Sequence, residues 1–359
     1  AHAHGHEQPV TSPSTLTLVP MSMRVTRSLA PGARPRREDV EVRFLDGGLY
    51  DGPLISTSTL NSWTDCPRRW GWRYIDKLDS GPKPAAELGQ RAHGQLEKWL
   101  VDGTPPDMAM LVDSGALSLF PLPRSPGLEC EQGFAFMLRD EATGREAAFW
   151  GFMDVKQDDL IQDLKTKADL TWAQNAGQLL DDLQANMYAA AILSHGQYHE
   201  VRCTWVFVRT KPPHKAVTTT ITVDVTHALD RLGRVFDTAC ELNHTRTLGL
   251  QTALQLPHNT ESCSAYGGCE WRAHCTDLRP GTSLFSKHFL KQIHEQHTQN
   301  QTQSTAVLNP DAPNPDKEND PMASTGTNSL LAAMKADLAK RGAPATTVAR
   351  QPPARSAAQ

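Results

Sequence analysis

Hydrophobic and polar residues alternate along three consecutive runs in the middle of the chain. The runs read LECEQGFAFMLRD (residues 128–140), AAFWGFMDVKQD (147–158) and LIQDLKTK (160–167), and a turn-forming ATGRE joins the first two. A period of two residues is typical of a β-strand with one buried face. The pattern therefore predicts a three-stranded meander.

Segments with helical spacing of apolar residues lie on both sides of this meander. One helix is predicted to start near Ser58 behind a Ser/Thr cap, and a second, AELGQRAHGQLEKWLVDG, to end near Gly103. After the meander we expect a helix over residues 176–196, strands over 200–211 and 215–225, and a helix over 226–244. This order predicts an α/β fold with a mixed central β-sheet flanked by helices.

The composition changes at both ends of the chain. Residues 1–48 are rich in Pro, Ser, Thr and Arg without a period, which predicts a flexible leader. Residues 290–359 are dominated by polar residues and predict a disordered tail, which leaves residues 49–289 as the folded body. Within the tail, residues 329–342 predict a short helix. We expect it to fold on a partner, such as a recombination or single-strand-binding protein.

Charge and hydropathy narrow the class of protein. The chain has 36 Lys and Arg against 40 Asp and Glu, a formal net charge of -4, so its whole surface is not expected to bind nucleic acid nonspecifically. This charge balance does not exclude a local basic groove that binds nucleic acid. No apolar run reaches the length of a membrane-spanning helix, and TLTLVPMSM is too short, too interrupted by Pro20 and too poor in basic residues for a signal peptide. We therefore expect a cytoplasmic protein.

The segment GFMDVKQDDLIQDLKTK carries the strongest chemical signal. Asp163 and Lys165 share one face of their predicted strand, and Asp154 comes beside them if the two strands form a hairpin. Converging carboxylates repel each other unless a cation lies between them, and Mg²⁺ or Mn²⁺ prefers such oxygen ligands. A lysine beside the ion can orient or deprotonate a water molecule. The arrangement is typical of metal-assisted phosphodiester hydrolysis, although D-x-K alone is more often a solvated strand face.

Four of the seven cysteines also point to a bound metal. Cys66 lies near the first predicted helix, and three more cysteines, Cys263, Cys269 and Cys275, follow in CSAYGGCEWRAHC. A reducing compartment keeps thiols free, so structural disulfides are not expected. The residues alone are compatible with two alternatives, a metal site and unligated thiols.

Four short motifs occur in a recognisable order along residues 56–275. They are Gly89 and His93 in GQRAH, Gly151 and Asp154 in GFMD, Asp163 and Lys165 in DLK, and Gln184 and Tyr188 in QANMY. In this order and spacing the chain resembles the RecB-like branch of the PD-(D/E)XK nuclease superfamily. The resemblance implies a core like that of restriction endonucleases.

The resemblance also implies a role for each motif residue. His93, Asp154, Asp163 and the main-chain carbonyl of Leu164 would bind Mg²⁺ or Mn²⁺, and Lys165 would handle the attacking water. Gln184 and Tyr188, four residues apart on one helix face, would hold the DNA strand near the site.

Related nucleases often add an acidic residue on the strand that precedes Asp154. Glu129 and Glu131 are the candidates here, on either side of Cys130. Spacing does not choose between them, and Glu131 is the preferred interpretation.

An iron–sulfur subgroup of these nucleases, which includes CRISPR-adaptation and helicase-linked repair nucleases, has a lone Cys-Pro before the nuclease core and three cysteines after it. Cys66, Cys263, Cys269 and Cys275 match these positions and imply a [4Fe–4S] cluster. The last three are spaced C-x5-C-x5-C instead of C-x2-C-x5-C, so Zn²⁺ is the alternative occupant. The neighbouring PRRWGWRY is expected to contact a single strand through arginines and aromatic rings.

The sequence therefore predicts a divalent-metal-dependent deoxyribonuclease, acting on DNA ends or single strands in recombination, repair or phage DNA processing. An alternative is a catalytically inactive module that binds DNA ends. The presence of Asp154, Asp163 and Lys165 argues against the loss of the nuclease site that this alternative requires. A second alternative is an accessory subunit of a helicase or recombinase complex. The sequence has no GxxxxGK loop, so any helicase would be a separate polypeptide.

Overall fold

The structure is a computed structural model that describes residues 16–27, 35–81 and 83–275. The predicted tail over 290–359, its helix at 329–342 and the first fifteen residues of the predicted leader lie outside the described residues. The strands are β1 (Leu16–Val25), β2 (Val40–Phe44), β3 (Leu49–Tyr50), β4 (Leu54–Ile55), β5 (Leu128–Asp140), β6 (Glu146–Gln157), β7 (Leu160–Lys167), β8 (Glu200–Arg209) and β9 (Ala216–Asp224). The helices are α1 (Thr57–Asp65), α2 (Pro67–Tyr74), α3 (Pro84–Asp102), α4 (Ala109–Val112), α5 (Ala176–Leu180), α6 (Leu183–Leu193) and α7 (Val225–Thr247).

The strands of the described chain form one mixed sheet. Its order is β3-β2-β1-β5-β6-β7-β8-β9, with the short β4 pairing alongside β6. The β7–β8 and β4–β6 pairs are parallel, and the others are antiparallel. The predicted α/β fold with a mixed sheet flanked by helices is confirmed. The meander β5–β6–β7 has the predicted bounds to within one residue.

Helices cover both faces of the sheet. On one face α6 and α7 pack over a core that contains Trp205 and Phe207 of β8. On the other face Leu96 and Leu100 of α3 pack against Leu164 of β7. Successive side chains of β7 and β8 therefore point to opposite faces of the sheet, and helices cover both faces. Among the described residues, every helix is too short or too polar to cross a membrane.

The predicted flexible leader is wrong for the described part of residues 16–48. β1 pairs with β5 from Leu16↔Asp140 to Met21↔Ala135 and with β2 from Met21↔Phe44 to Val25↔Val40. Met21 and Val42 are buried in a small core of their own. The sequence pattern did not predict this strand because Pro20 interrupts its apolar run. A proline is nevertheless tolerated in a strand at a position where no backbone N–H is needed.

Two predicted helices are each split into two. The first breaks at Cys66, whose backbone is extended (φ -166°, ψ 109°), because Pro67 disfavours helical geometry in the residue before it and then starts α2. The helix predicted over residues 176–196 breaks into α5 and α6. Asp182 caps α6 there by accepting a hydrogen bond from the Ala185 N–H at 3.0 Å.

Helix α2 packs against a segment near the end of the described chain. Gly71 faces the short helical turn Ala253–Gln255, and a Cβ on Gly71 would lie 2.7 Å from Ala253 Cβ and 2.7 Å from Leu256 Cδ1. The Arg68 side chain, 5% exposed as a residue, donates from Nε to the Leu256 carbonyl at 2.9 Å. The close approach permitted by a glycine therefore joins two segments far apart in sequence.

We expect Gly71→Ala to destabilise the protein by about 1–3 kcal/mol, because a methyl group at this contact overpacks it. Urea unfolding followed by circular dichroism measures the change. The matched control is Gly177→Ala in α5, where the nearest atom to an added Cβ is 3.5 Å away and the substitution should be neutral or mildly stabilising. Equal stability of Gly71→Ala and the wild type would contradict the close packing of α2.

Candidate active site

β6 and β7 separate shortly after their hairpin. Their ladder covers only Gln157↔Leu160 to Val155↔Gln162, whereas β7 stays paired with β8 as far as Lys167. Beyond this short ladder the Leu164 N–H donates to Asp154 Oδ2 at 2.9 Å. A side-chain carboxylate therefore takes the place of a neighbouring strand, and the two strands form a fork with Asp154 in its opening.

A histidine and a second carboxylate join Asp154 at the fork. His93 Nδ1 lies 2.9 Å from Asp154 Oδ2. Ligand atoms of His93, Glu131 and Asp154 all lie within 4.8 Å of one another. His93 reaches the fork because Gly89, one turn earlier in α3, allows the helix to approach β7: a Cβ there would lie 3.3 Å from Thr166 Oγ1.

The structure distinguishes the two acidic candidates on β5. Glu129 Oε1 pairs with Lys156 Nζ at 2.8 Å, away from the fork. Glu131 has a left-handed backbone, φ +48°, which costs a non-glycine residue about 1–2 kcal/mol. Strained backbone of this kind is concentrated at functional sites, and here it accompanies a carboxylate beside Asp154. The preference for Glu131 agrees with this geometry.

Asp163 and Lys165 face α6, on the same side of the sheet as each other. Lys165 Nζ lies 2.7 Å from Asp163 Oδ2, and it donates to Gln184 Oε1 at 2.8 Å. The ammonium group also lies 5.7 Å from the centre of the Trp205 ring. The Lys165 side chain is 27% exposed and Asp163 only 1%, so the lysine is the member of the pair that solvent reaches.

Gln184 and Tyr188 hold this pair from α6. Gln184 Nε2 donates to Asp163 Oδ1 at 3.0 Å and to the Tyr188 hydroxyl at 2.6 Å. The Tyr188 hydroxyl in turn donates to the Phe152 carbonyl of β6 at 2.6 Å. Their geometry supports a positioning role for the two side chains, while the contact with DNA stays a prediction.

Burial raises the pKa of Asp163, and the neighbouring charge of Asp154 raises it further. Lys165 and His93 oppose this effect without cancelling it. A buried carboxylate with a raised pKa beside a second carboxylate is a site short of positive charge. A divalent cation bound between them would supply that charge.

The four cysteines of the predicted cluster are neighbours in the structure. Cys66 is buried and its Sγ accepts from the Asn259 N–H at 3.4 Å, while the Cys269 N–H donates to the Cys263 carbonyl at 2.9 Å. Burial raises the pKa of Cys263, and the nearby thiols of Cys66 and Cys275 raise it further. A positively charged metal or cluster would reverse this effect.

The expected single-strand contact of PRRWGWRY is wrong for its tryptophans. Trp70 and Trp72 are 3% and 5% exposed. Trp70 stacks on Tyr74, with ring centres 5.4 Å apart, and Arg69 Nη2 pairs with Glu270 Oε2 at 3.3 Å. The two tryptophans are packed in the protein interior, so no base can reach their faces. Aromatic spacing in the sequence did not distinguish a core from a binding surface.

We expect Asp163→Asn to raise the free energy of unfolding of the metal-free protein at pH 7. A raised folded-state pKa means that stability falls as the pH rises from the unfolded pKa, about 3.9, through the folded value. The amide does not titrate, so the variant escapes this loss. Urea unfolding in EDTA should show its advantage at pH 7 and a smaller advantage near pH 4.

The matched control for this measurement is Asp113→Asn, which changes an exposed carboxylate at the end of α4. It should leave stability nearly unchanged at both pH values. An Asp163→Asn variant that is less stable than the wild type at pH 7 would contradict the account of a penalised buried charge.

Similarities to known proteins cover parts of this chain. A search of the curated proteins found no match. The crystal structure of SSO0001 is similar to this chain with a TM-score of 0.34 and 12% sequence identity, over 63% of this chain and 88% of that protein. The model of the PD-(D/E)XK nuclease superfamily matches residues 54–118, a region that contains Cys66 and His93. This part of the chain is therefore similar to a nuclease superfamily.

Proposed function

We propose that the protein is a divalent-metal-dependent deoxyribonuclease of the RecB-like type, which hydrolyses phosphodiester bonds at DNA ends or in single strands. One observation carries this proposal: Asp154, Asp163 and Lys165 converge at the β6–β7 fork, together with His93 and Glu131. The superfamily match over residues 54–118 supports the same reading. DNA recombination, repair or phage DNA processing are the processes proposed for it.

The donor set at the fork fits Mg²⁺ or Mn²⁺. His93, Glu131 and Asp154 already bring ligand atoms within 4.8 Å of one another, and Asp163 supplies a further carboxylate. Oxygen ligands suit both ions, and the imidazole favours Mn²⁺ of the two. The Leu164 carbonyl is the proposed main-chain ligand. When bound, such an ion lowers the pKa of a coordinated water and stabilises negative charge on the phosphate.

Lys165 is the residue that we assign to the attacking water. Its partly exposed ammonium is held between Asp163 and Gln184, so it is both fixed in direction and accessible. From there Lys165 can orient the water and stabilise the charge that develops on the phosphate. Gln184 and Tyr188 position Asp163 and Lys165 before substrate arrives.

We expect Lys165→Met to lower the cleavage rate by about 10²–10⁴-fold, the usual contribution of a positioned charged group or proton donor. Asp154→Asn should have a similar effect because it removes a ligand. Cleavage of end-labelled single- and double-stranded DNA with Mn²⁺ or Mg²⁺ measures both. The matched control is Lys156→Met on the neighbouring strand, where the lysine pairs with Glu129 and cleavage should be unchanged.

The same assay separates the nuclease from a module that only binds DNA ends. Wild-type protein that binds DNA but releases no labelled product with either ion would favour the inactive module. Undiminished cleavage by Lys165→Met or Asp154→Asn would place the chemistry elsewhere and contradict the proposed site.

For the four cysteines we propose a [4Fe–4S] cluster, with Zn²⁺ as the alternative. The proximity of the Cys66, Cys263 and Cys275 thiols, which raises the pKa of Cys263, supports one shared site for them. Four thiolates can bind either occupant. A link from Cys66 to residues 263–275 closes a loop worth about 5 kcal/mol in the chain-entropy model.

We expect anaerobically purified protein to contain iron and acid-labile sulfide and to absorb broadly near about 400 nm. Cys66→Ser should remove the absorbance and lower the thermal midpoint. Cys240→Ser, a half-buried thiol in α7 outside the group, should keep both. One zinc and no iron per chain would identify Zn²⁺ as the occupant, and absence of both metals would indicate unligated thiols.

A further inference from the structure

The strand that carries Asp163 and Lys165 is followed along the chain by an exposed tryptophan, Trp172. It is 75% exposed and lies on a short helical turn, Leu170–Trp172, that follows directly after β7. β7 is the strand that carries Asp163 and Lys165. An exposed indole offers a flat apolar face on which another ring can stack.

The turn that carries Trp172 is anchored on both sides. Asp169 accepts a hydrogen bond from the Thr171 N–H at 2.9 Å, and the Ala173 N–H donates to the Leu170 carbonyl at 2.9 Å. Leu170 and Ala173 pack against the core on the α6 face. The ring is thus held outward by a fixed turn, on the face of the sheet that Lys165 also faces.

Two cations continue the line of β7 from Lys165 towards this turn. Lys167 follows Lys165 by two residues, about 6.6 Å along a strand and on the same face. The strand register places Arg209 of β8 directly opposite Lys167. Within the part of the chain that the structure describes, neither Lys167 nor Arg209 forms an ion pair shorter than 4.0 Å.

Positive charge also reaches the turn itself. The pKa of Asp169 is lowered first by its hydrogen bonds from Thr171, and then by the charges of Arg209 and Lys211. These two cations therefore lie close to Asp169, the residue that caps the turn carrying Trp172. Cations beside an exposed ring match the chemistry of a nucleic-acid strand, which offers phosphates and base faces together.

We propose that Trp172, Lys167 and Arg209 form a binding track for single-stranded DNA that leads to the fork. The indole stacks on an unpaired base, and the two cations contact backbone phosphates. A single strand is the favoured occupant because duplex bases are already stacked on each other and hide their faces. This inference rests on the proposed nuclease function and adds the form of its substrate.

The test is equilibrium binding of the full-length chain in EDTA to a fluorescein-labelled oligo-dT and to a blunt hairpin duplex. We expect Trp172→Ala to weaken oligo-dT binding about tenfold or more and duplex binding far less, as for loss of one stacked base. Trp172→Phe should retain most of the affinity. Leu122→Ala removes an apolar side chain that is 76% exposed on another part of the surface, and it should bind as the wild type does.

The salt dependence of binding tests the two cations of the track separately. Lys167→Ala and Arg209→Ala should each reduce the slope of log affinity against log salt concentration by about 0.7 for the single strand. The matched control is Arg24→Ala in β1, whose side chain is 73% exposed and pairs with Glu41. Its slope should equal that of the wild type.

Oligo-dT affinity unchanged in Trp172→Ala would overturn the track, as would equal losses for oligo-dT and duplex, or no binding of oligo-dT by the wild type. Because binding is measured without metal, these outcomes are separate from cleavage. A wild-type protein that cleaves DNA while Trp172→Ala binds normally would leave the nuclease proposal intact and remove only the track.

Discussion

The hydrogen bond from the Leu164 N–H to the Asp154 carboxylate organises the site. A strand that leaves its neighbour must satisfy the exposed backbone groups in another way, because an unpaired buried N–H is costly. Asp154 satisfies this one, and in doing so it is fixed at the bottom of the opening. His93 and Glu131 can then meet it from α3 and β5. The same bond therefore satisfies a backbone group where the strands part and fixes Asp154 within the acidic cluster.

The fork collects more negative charge than a buried site can hold alone. Asp163 is almost fully buried, and its pKa is raised by burial and by Asp154. Lys165 offsets part of this charge, and Gln184 holds the lysine and the carboxylate in one arrangement. In the free protein this carboxylate is penalised by burial and by its neighbour, and the proposed divalent cation would relieve that penalty.

The sequence predicted what depends on local pattern and order. Strict alternation located β5, β6 and β7, and the ordered motifs located residues that the structure brings together at one fork. Long-range packing stayed hidden: Pro20 masked a strand that pairs with a distant one, and the turn to α6 at Asp182 split a predicted helix. Burial was also invisible in the sequence, so Trp70 was expected at a binding surface although the structure buries it.

Calorimetric titration of the full-length protein with Mn²⁺ tests the central claim most directly, because it asks whether the fork is a metal site without requiring turnover. The account predicts one ion bound per chain at the fork. Glu131→Gln should weaken binding, and Glu129→Gln, on the same strand but paired with Lys156, should not. Wild-type protein that binds no Mn²⁺ or Mg²⁺, or a Glu131→Gln variant with unchanged affinity, would contradict the account.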